Sequence, residues 1–253
     1  MNKKRPKTRV TYFDTERAPL LGWFWELGEQ RIHYGQIVQH DFFTSCQWQY
    51  DDGKVQEYSL LDNPNFDKDP MNDLVVVKKM REIMENTDVL VAHNGRRFDW
   101  PKFKAKMIYH RLKPVRKPHI FDTLTEARTS SFVSNKLGNL AKLLKTIEKL
   151  DNPTDFGKLV FGSIKERRAE IKKSVKYGLG DIPALKEIFY VLHPYSENRI
   201  NIKTLSEPCS CPRCKSDNIG TRGESKLLSG MVRTQYICLS CKHRFKGLIR
   251  VGS

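Results

Sequence analysis

The stretch that most constrains this chain is Val10-Thr11-Tyr12-Phe13-Asp14-Thr15-Glu16, a β-rich run that ends in two carboxylates spaced i, i+2. Successive strand side chains alternate faces, so Asp14 and Glu16 point the same way. Two negative charges held side by side cost free energy unless something positive sits between them. In a chain this basic a divalent cation is the expected occupant, because hard cations take oxygen ligands. The fold must then present strand ends to a pocket, and other acids must complete it.

The rest of the chain offers such a fold. Residues 31–61 carry strand formers, with the turn signal Asp51-Asp52-Gly53 inside them, so an antiparallel meander is expected after the first strand. Residues 72–86 have helical spacing in Leu74, Val77, Met80, Ile83 and Met84. Val89-Leu90-Val91-Ala92 reads as a buried parallel strand. Asp99 opens a helix with Pro101 in its first turn, where the missing N–H costs little. His119 to Asp122 reads as another short strand, and helices are expected around 137–145, 164–176 and 182–192. The order describes an α/β fold, a mixed sheet flanked by helices. Trp23, Phe24 and Trp25 are expected as core or packing residues, the alternative being a stacking surface for bases.

Charge speaks to partners. Forty-five Lys and Arg against 29 Asp and Glu give +16, which favours a polyanion, most simply nucleic acid. No apolar run reaches the roughly 18 residues of a membrane span. No apolar leader follows Met1-Asn2-Lys3-Lys4-Arg5, so a cytoplasmic location is expected.

Asp14 and Glu16, then Asp99, then Asp181 with Tyr177 four residues before it, form an ordered set of acids on separate elements. Singly, Asp99 and Asp181 read as helix N-caps; as a set they read as metal ligands. Asp14-Thr15-Glu16, Asn94-Gly95-Arg96-Arg97-Phe98-Asp99 and Tyr177 with Asp181 resemble the three motifs of the DEDDy 3′–5′ exonucleases, and Phe121-Asp122-Thr123-Leu124 is also familiar from that superfamily. The resemblance covers roughly residues 8–193. It is nearest to phage-type enzymes carrying a C-terminal zinc ribbon, which would place the protein in a host cytoplasm. It implies a ribonuclease H-like fold and 3′–5′ hydrolysis of nucleic acid, DNA ahead of RNA, acting on a single-stranded 3′ end. A polymerase or other replication protein is an implied partner. It also implies two Mg²⁺ or Mn²⁺ ions, with Asp14 bridging both, Glu16 and Asp181 completing one shell, and Asp99 serving the other.

Two ions roughly 3.5–4 Å apart can stabilise both the attacking and the leaving oxygen of a phosphodiester. Tyr177 would orient the attacking water; a phenol of pKa near 10 stays protonated at neutral pH and is a poor base. Asn94, Arg96, Arg97 and Lys102 are candidates for holding the substrate. Asp122 is assigned to structure, and His93 and His119 to satisfied loop or core positions. Gly178, Gly180 and Pro183 make a poor helix interior, so a kink or a helix start at Asp181 is expected near the third motif. The family usually has a polar residue or Cys where this chain has Gly178.

Five of the six cysteines crowd the last 45 residues, which points to metal rather than disulfides. Cys211-Pro212-Arg213-Cys214 and Cys238-Leu239-Ser240-Cys241 are two CxxC pairs separated by 23 residues. Four thiolates close a tetrahedral zinc site, so one structural Zn²⁺ in a zinc ribbon is expected. Cys209 has the wrong spacing for it, and Cys46 reads as an ordinary buried residue. The expected organisation is an exonuclease domain over 1–195, a linker over 196–208 and a ribbon over 209–253. The ribbon's basic residues and Tyr236 and Phe245 suit a nucleic-acid grip, the alternative being a protein-docking surface. A structure-specific endonuclease and a non-catalytic binding or recruitment module are the competing functional readings.

Overall fold

The computed structural model describes residues 9–26, 28–29, 31–147, 152–196, 211, 213–214, 216–226 and 231–251. The expected basic arm at the N-terminus, nearly all of the expected linker and Cys209 lie outside the described residues. Two compact units are present, one of them Val10–Glu197 and the other holding the described residues from Cys211 onward.

The larger unit is built on a five-stranded sheet. Its strands are β1 (Val10–Ala18), β4 (Phe42–Tyr50), β5 (Val55–Ser59), β6 (Val89–Ala92) and β7 (His119–Asp122). A short hairpin of β2 (Leu21–Gly22) and β3 (Ile37–Gln39) lies between β1 and β4 in sequence. The order across the sheet is β5-β4-β1-β6-β7. The first three strands form the expected antiparallel meander, while β6 and β7 run parallel to β1. The parallel pairs need crossovers, supplied by α1 (Leu74–Glu85) before β6 and α2 (Asp99–Tyr109) before β7.

Strand alternation sorts the two faces. Phe13, Cys46 and Trp48 join Val76, Val77, Met80 and Ile83 of α1 and Phe103 and Met107 of α2 in one apolar core. Tyr12 faces the other way and meets Phe189 edge-on at 5.8 Å. Phe189 lies on α6 (Ile164–Leu192), which packs across β4 and β1. Two short helices, α3 (Thr123–Thr129) and α4 (Leu137–Leu143), precede α5 (Phe156–Phe161) and α6. Neither α3 nor α5 is visible as periodicity, since six or seven residues are too few to show it.

Two expectations are corrected. The helices expected over 164–176 and 182–192 are one 29-residue helix that runs through Gly178, Gly180 and Pro183. Packing against the sheet outweighs the local propensity cost. The aromatic trio expected in the core is exposed: Trp23 is 47% accessible, Phe24 56% and Trp25 85%.

The smaller unit is a three-stranded antiparallel sheet of β8 (Ile219–Lys226), β9 (Met231–Cys238) and β10 (Arg244–Val251), ordered β10-β9-β8. Its cysteines stand at the ends of these strands and in the turns beside them. No helix among the described residues is long and apolar enough to cross a membrane.

Candidate active site

The structure brings Asp14, Glu16 and Asp181 together. Each offers a carboxylate oxygen, and the three oxygens lie within 4.8 Å of one another. Asp14 and Glu16 share a face of β1 through strand alternation. Asp181 sits on the buried side of α6, the helix that covers that face. The N-cap reading of Asp181 is excluded by its place deep inside the helix. Tyr177 lies one turn earlier, and i, i+4 spacing puts it on the same side as Asp181.

Across the ladder, Asp14 pairs with Gln47 and Glu16 with Ser45. Gln47 and Ser45 are fully buried, and the Gln47 amide donates to Ser45 Oγ at 2.8 Å. These two residues floor the site, and sequence reading missed them. The available signal was the polar alternation Ser45, Gln47, Gln49 between Cys46, Trp48 and Tyr50. The ladder shifts register directly after Glu16, where Arg17 pairs with Phe43 and leaves Thr44 as the extra residue. A bulge bends the strand and re-aims the next side chain. Arg17 accordingly sits between the rings of Phe43 and Phe98, at 5.4 and 5.1 Å from their centroids, and forms an ion pair with Asp41.

Asp99 lies outside the three-carboxylate group. It is buried at the first turn of α2, and its Oδ1 accepts from Thr15 Oγ1 at 2.5 Å. Thr15 stands between Asp14 and Glu16 in sequence but faces the α1–α2 side of the sheet. Burial raises the Asp99 pKa to about 6; the Thr15 hydrogen bond opposes this, nearby Asp122 adds to it, and Arg17 opposes it. The cap position of α2 belongs to Phe98, not Asp99.

Asp122 organises the loop that carries the second motif. Its carboxylate accepts from the backbone N–H groups of Asn94 and Arg96, both at 2.9 Å, and caps α3 through Leu124 and Thr125. This is the structural role the sequence assigned to it. Asn94 adopts φ of 69°, a left-handed conformation that Asn tolerates better than most residues. The Arg96 guanidinium donates twice to the carbonyl of Ile120 on β7. Arg97 and Lys102 are exposed, and Lys102 lies 3.9 Å from Asp41. His93 is satisfied by Thr123 at 3.0 Å. Cys46 is fully buried, and burial pushes its thiol pKa up.

In the smaller unit Cys211, Cys214, Cys238 and Cys241 bring their sulfurs within 4.8 Å of one another. The pairs Cys211–Cys241 and Cys214–Cys238 are each 3.5 Å apart. A disulfide needs about 2.0 Å, whereas a tetrahedron of Zn–S bonds of about 2.3 Å has edges of about 3.8 Å. The cluster is thus compatible with a zinc ribbon. The three carboxylates are likewise a fitting donor set for a hard divalent cation, with three formal negative charges in one small volume.

The comparisons with known proteins agree on the fold. The family model RNase_H_2, described as RNase_H superfamily, matches residues 39–157, just under half of the chain. That span contains Asn94, Asp99 and Asp122 but not Asp14, Glu16 or Asp181. The family B DNA polymerase from the hyperthermophilic archaeon Pyrobaculum calidifontis is structurally similar at TM-score 0.52 and 15% identity, over 79% of this chain and 27% of the polymerase. The chain therefore spans about a quarter of that polymerase's length. A search of curated proteins finds no match. The fold is ribonuclease H-like.

Proposed function

We propose that the protein is a metal-dependent 3′–5′ exonuclease acting on nucleic acid by a two-metal-ion mechanism. The observation that carries the reading is the meeting of Asp14, Glu16 and Asp181 within 4.8 Å on a ribonuclease H-like sheet. Divalent ions bound there would supply Lewis-acid stabilisation to the phosphoryl group undergoing attack. Asp14, Glu16 and Asp181 would hold them. Asp99 is the fourth ligand in this reading, reached by releasing Thr15 and turning toward the Asp14 side of the strand end.

The chain's other residues bind and orient. The Tyr177 hydroxyl, on the same face of α6 as Asp181, positions the attacking water. Asn94, Arg97 and Lys102 hold the strand near its terminus. Arg96, with its guanidinium already on Ile120, shapes the loop and adds positive potential. The basic residues of the smaller unit help retain the polymer, and binding then weakens steeply with salt. The zinc at Cys211, Cys214, Cys238 and Cys241 is structural, since a closed thiolate shell leaves no open position.

The test is a time course on 3′- and 5′-labelled single strands of DNA and RNA with Mg²⁺, Mn²⁺ or a chelator. Stepwise shortening from the 3′ end, lost with chelator and in Asp14→Ala, supports the proposal. Cutting of circular single strands would replace it with an endonuclease. Unchanged behaviour of Asp14→Ala would leave a binding module.

A further inference from the structure

The arm that leaves the active-site strand has no role in the proposed chemistry, yet it exposes a dense set of aromatic rings. Its β2–β3 hairpin follows on from the end of the β1–β4 pairing as a separate two-stranded sheet. Ala18 pairs with Phe42 and Leu21 with Gln39, an advance of three residues on each strand. The ladder continues through Gly22 and Ile37, and Trp23 N–H donates to the Gln36 carbonyl at 3.0 Å. The close approach at Gly22 leaves no room for a side chain, since a β-carbon there would stand 2.9 Å from the same carbonyl. The arm is thus a separate two-stranded sheet joined to the carboxylate-bearing strand by only two residues, Pro19 and Leu20.

The rings are presented rather than packed away. Trp25 is 85% accessible and Tyr34 76%. Trp23 and Trp25 meet edge to face, with centroids 5.5 Å apart and planes at 82°, so the two rings are not stacked flat on each other. Together with Arg31, His33, Gly35 and Gln36 they line an open cleft of about 620 Å³ that has no acidic side chain in its wall. A cleft with aromatic walls and a guanidinium takes a stacked base and its phosphate. Tyr34 and His40 border a second cleft, of about 680 Å³, lined by Lys102, Lys106 and Tyr109 of α2 and also by Asp41, Asp69 and Asp73, two of which pair with those lysines.

We propose that the described residues of this arm, 19–26, 28–29 and 31–40, are a stacking platform for single-stranded nucleic acid, carrying nucleotides several positions from the end held at the carboxylates. The proposal deepens the nuclease reading and rests on it for which end is held. The overall charge of +16 favours a polyanion over an apolar protein partner. Reach also fits. From Glu16 to Trp23 the chain can span at most about 25 Å. A stacked strand rising about 3.4 Å per nucleotide covers that in about seven nucleotides.

The test is binding by the full chain with metal chelated, so that no cleavage is required. Oligo(dT) and oligo(rU) of roughly 4 and roughly 12 nucleotides are titrated while tryptophan fluorescence and anisotropy are read. The 12-mers are expected to quench fluorescence and to bind more tightly than the 4-mers, which reach fewer rings. Combining Phe24→Ala with Trp25→Ala should weaken 12-mer binding by about tenfold or more. Replacing Trp25→Ala by Trp25→Phe should restore most of the loss. Parent-like 12-mer affinity in the double alanine variant would overturn the platform, as would equal quenching by a blunt duplex. Concentration-dependent dimerisation abolished by the same variant would assign the rings to a second copy of the chain instead. Ring-dependent 12-mer binding in a protein that cleaves nothing with Mg²⁺ would keep the platform and discard the nuclease.

Discussion

A β-carbon on Gly178 would stand 2.7 Å from the carboxamide of Gln47. The contact sets how closely α6 approaches β4, and therefore where Asp181 meets Asp14 and Glu16. It also explains why glycine stands beside Tyr177 at a position where a larger residue would seem cheaper for a helix. Gly180, two residues on, has nothing within 4 Å of a built β-carbon. The two glycines should respond oppositely to alanine. Gly178→Ala should destabilise by about 1–2 kcal/mol, overpacking outweighing the gain in helix propensity, and should lower activity by pushing Asp181 away. Gly180→Ala should stabilise by about 0.5–1 kcal/mol with activity retained. Urea titrations of both variants check this, and equal stabilities would mean that α6 does not bear on Gln47.

Asp99 carries the pH dependence. Burial raises its pKa from 3.8 to about 6. A raised carboxylate binds its proton more tightly in the folded state, so its favourable contribution is complete below about pH 4 and is lost as pH rises through about 6. At neutral pH the metal-free protein carries a buried charge there. Asp99→Asn keeps an acceptor for Thr15 and removes that charge. With chelator present it should be more stable than the parent by on the order of 2 kcal/mol at pH 7, shrinking toward zero near pH 4. Denaturation at the two pH values reads the difference; a gain that does not depend on pH would show that ionisation of Asp99 is not its source.

Some of this was legible in the sequence for plain reasons. Asp14 and Glu16 sit on one face because a strand has period two, and the acid at 181 joins them because Ile182, Leu185, Ile188, Phe189 and Leu192 fix one face of a helix. The meander and the crossover strands followed from turn and run lengths. The failures are equally physical. Gly178 and Gly180 looked like a break because propensity is local, whereas the fit of Gly178 on Gln47 is a long-range contact. Trp23 to Trp25 looked like core because composition cannot tell an arm from a layer. What order along the chain does not show is the partner that Asp99 meets in the metal-free protein, Thr15 on the opposite face of β1.

The cysteine cluster predicts a unit that depends on metal. The Cys241 N–H lies 3.4 Å from Cys238 Sγ and draws that thiol's pKa down to about 6, so a thiolate is ready for a cation. A sheet this small has too little core to stand alone. One zinc per chain should be released by thiol modification and detected by a colorimetric chelator. Cys238→Ser should abolish the zinc and the structure of the 211–251 unit while leaving the main unfolding transition of the larger unit within about 0.5 kcal/mol. Zinc retained in full when Cys211→Ser is combined with Cys238→Ser would show that the four sulfurs are not its ligands.

Asp181 separates the cost of the acidic cluster from its use. Three carboxylates within 4.8 Å repel one another when no cation is present. Asp181→Asn removes one of these charges, so in chelator it should be as stable as the parent or more stable by about 1 kcal/mol. Adding Mg²⁺ or Mn²⁺ reverses the order. A cation at 100 times its dissociation constant stabilises the folded parent by about 2.7 kcal/mol, whereas the variant, with a weakened site, gains far less. Cleavage should fall by at least about a thousandfold in the variant, because the remaining carboxylates cannot keep the ions placed for in-line attack. Thermal unfolding with and without each ion, run beside the cleavage assay, reads both effects. A variant that loses activity but still gains full stability from the ion would place the binding site elsewhere than at Asp181. A parent whose stability ignores the ion would remove the cations from this pocket, and with them the two-metal reading.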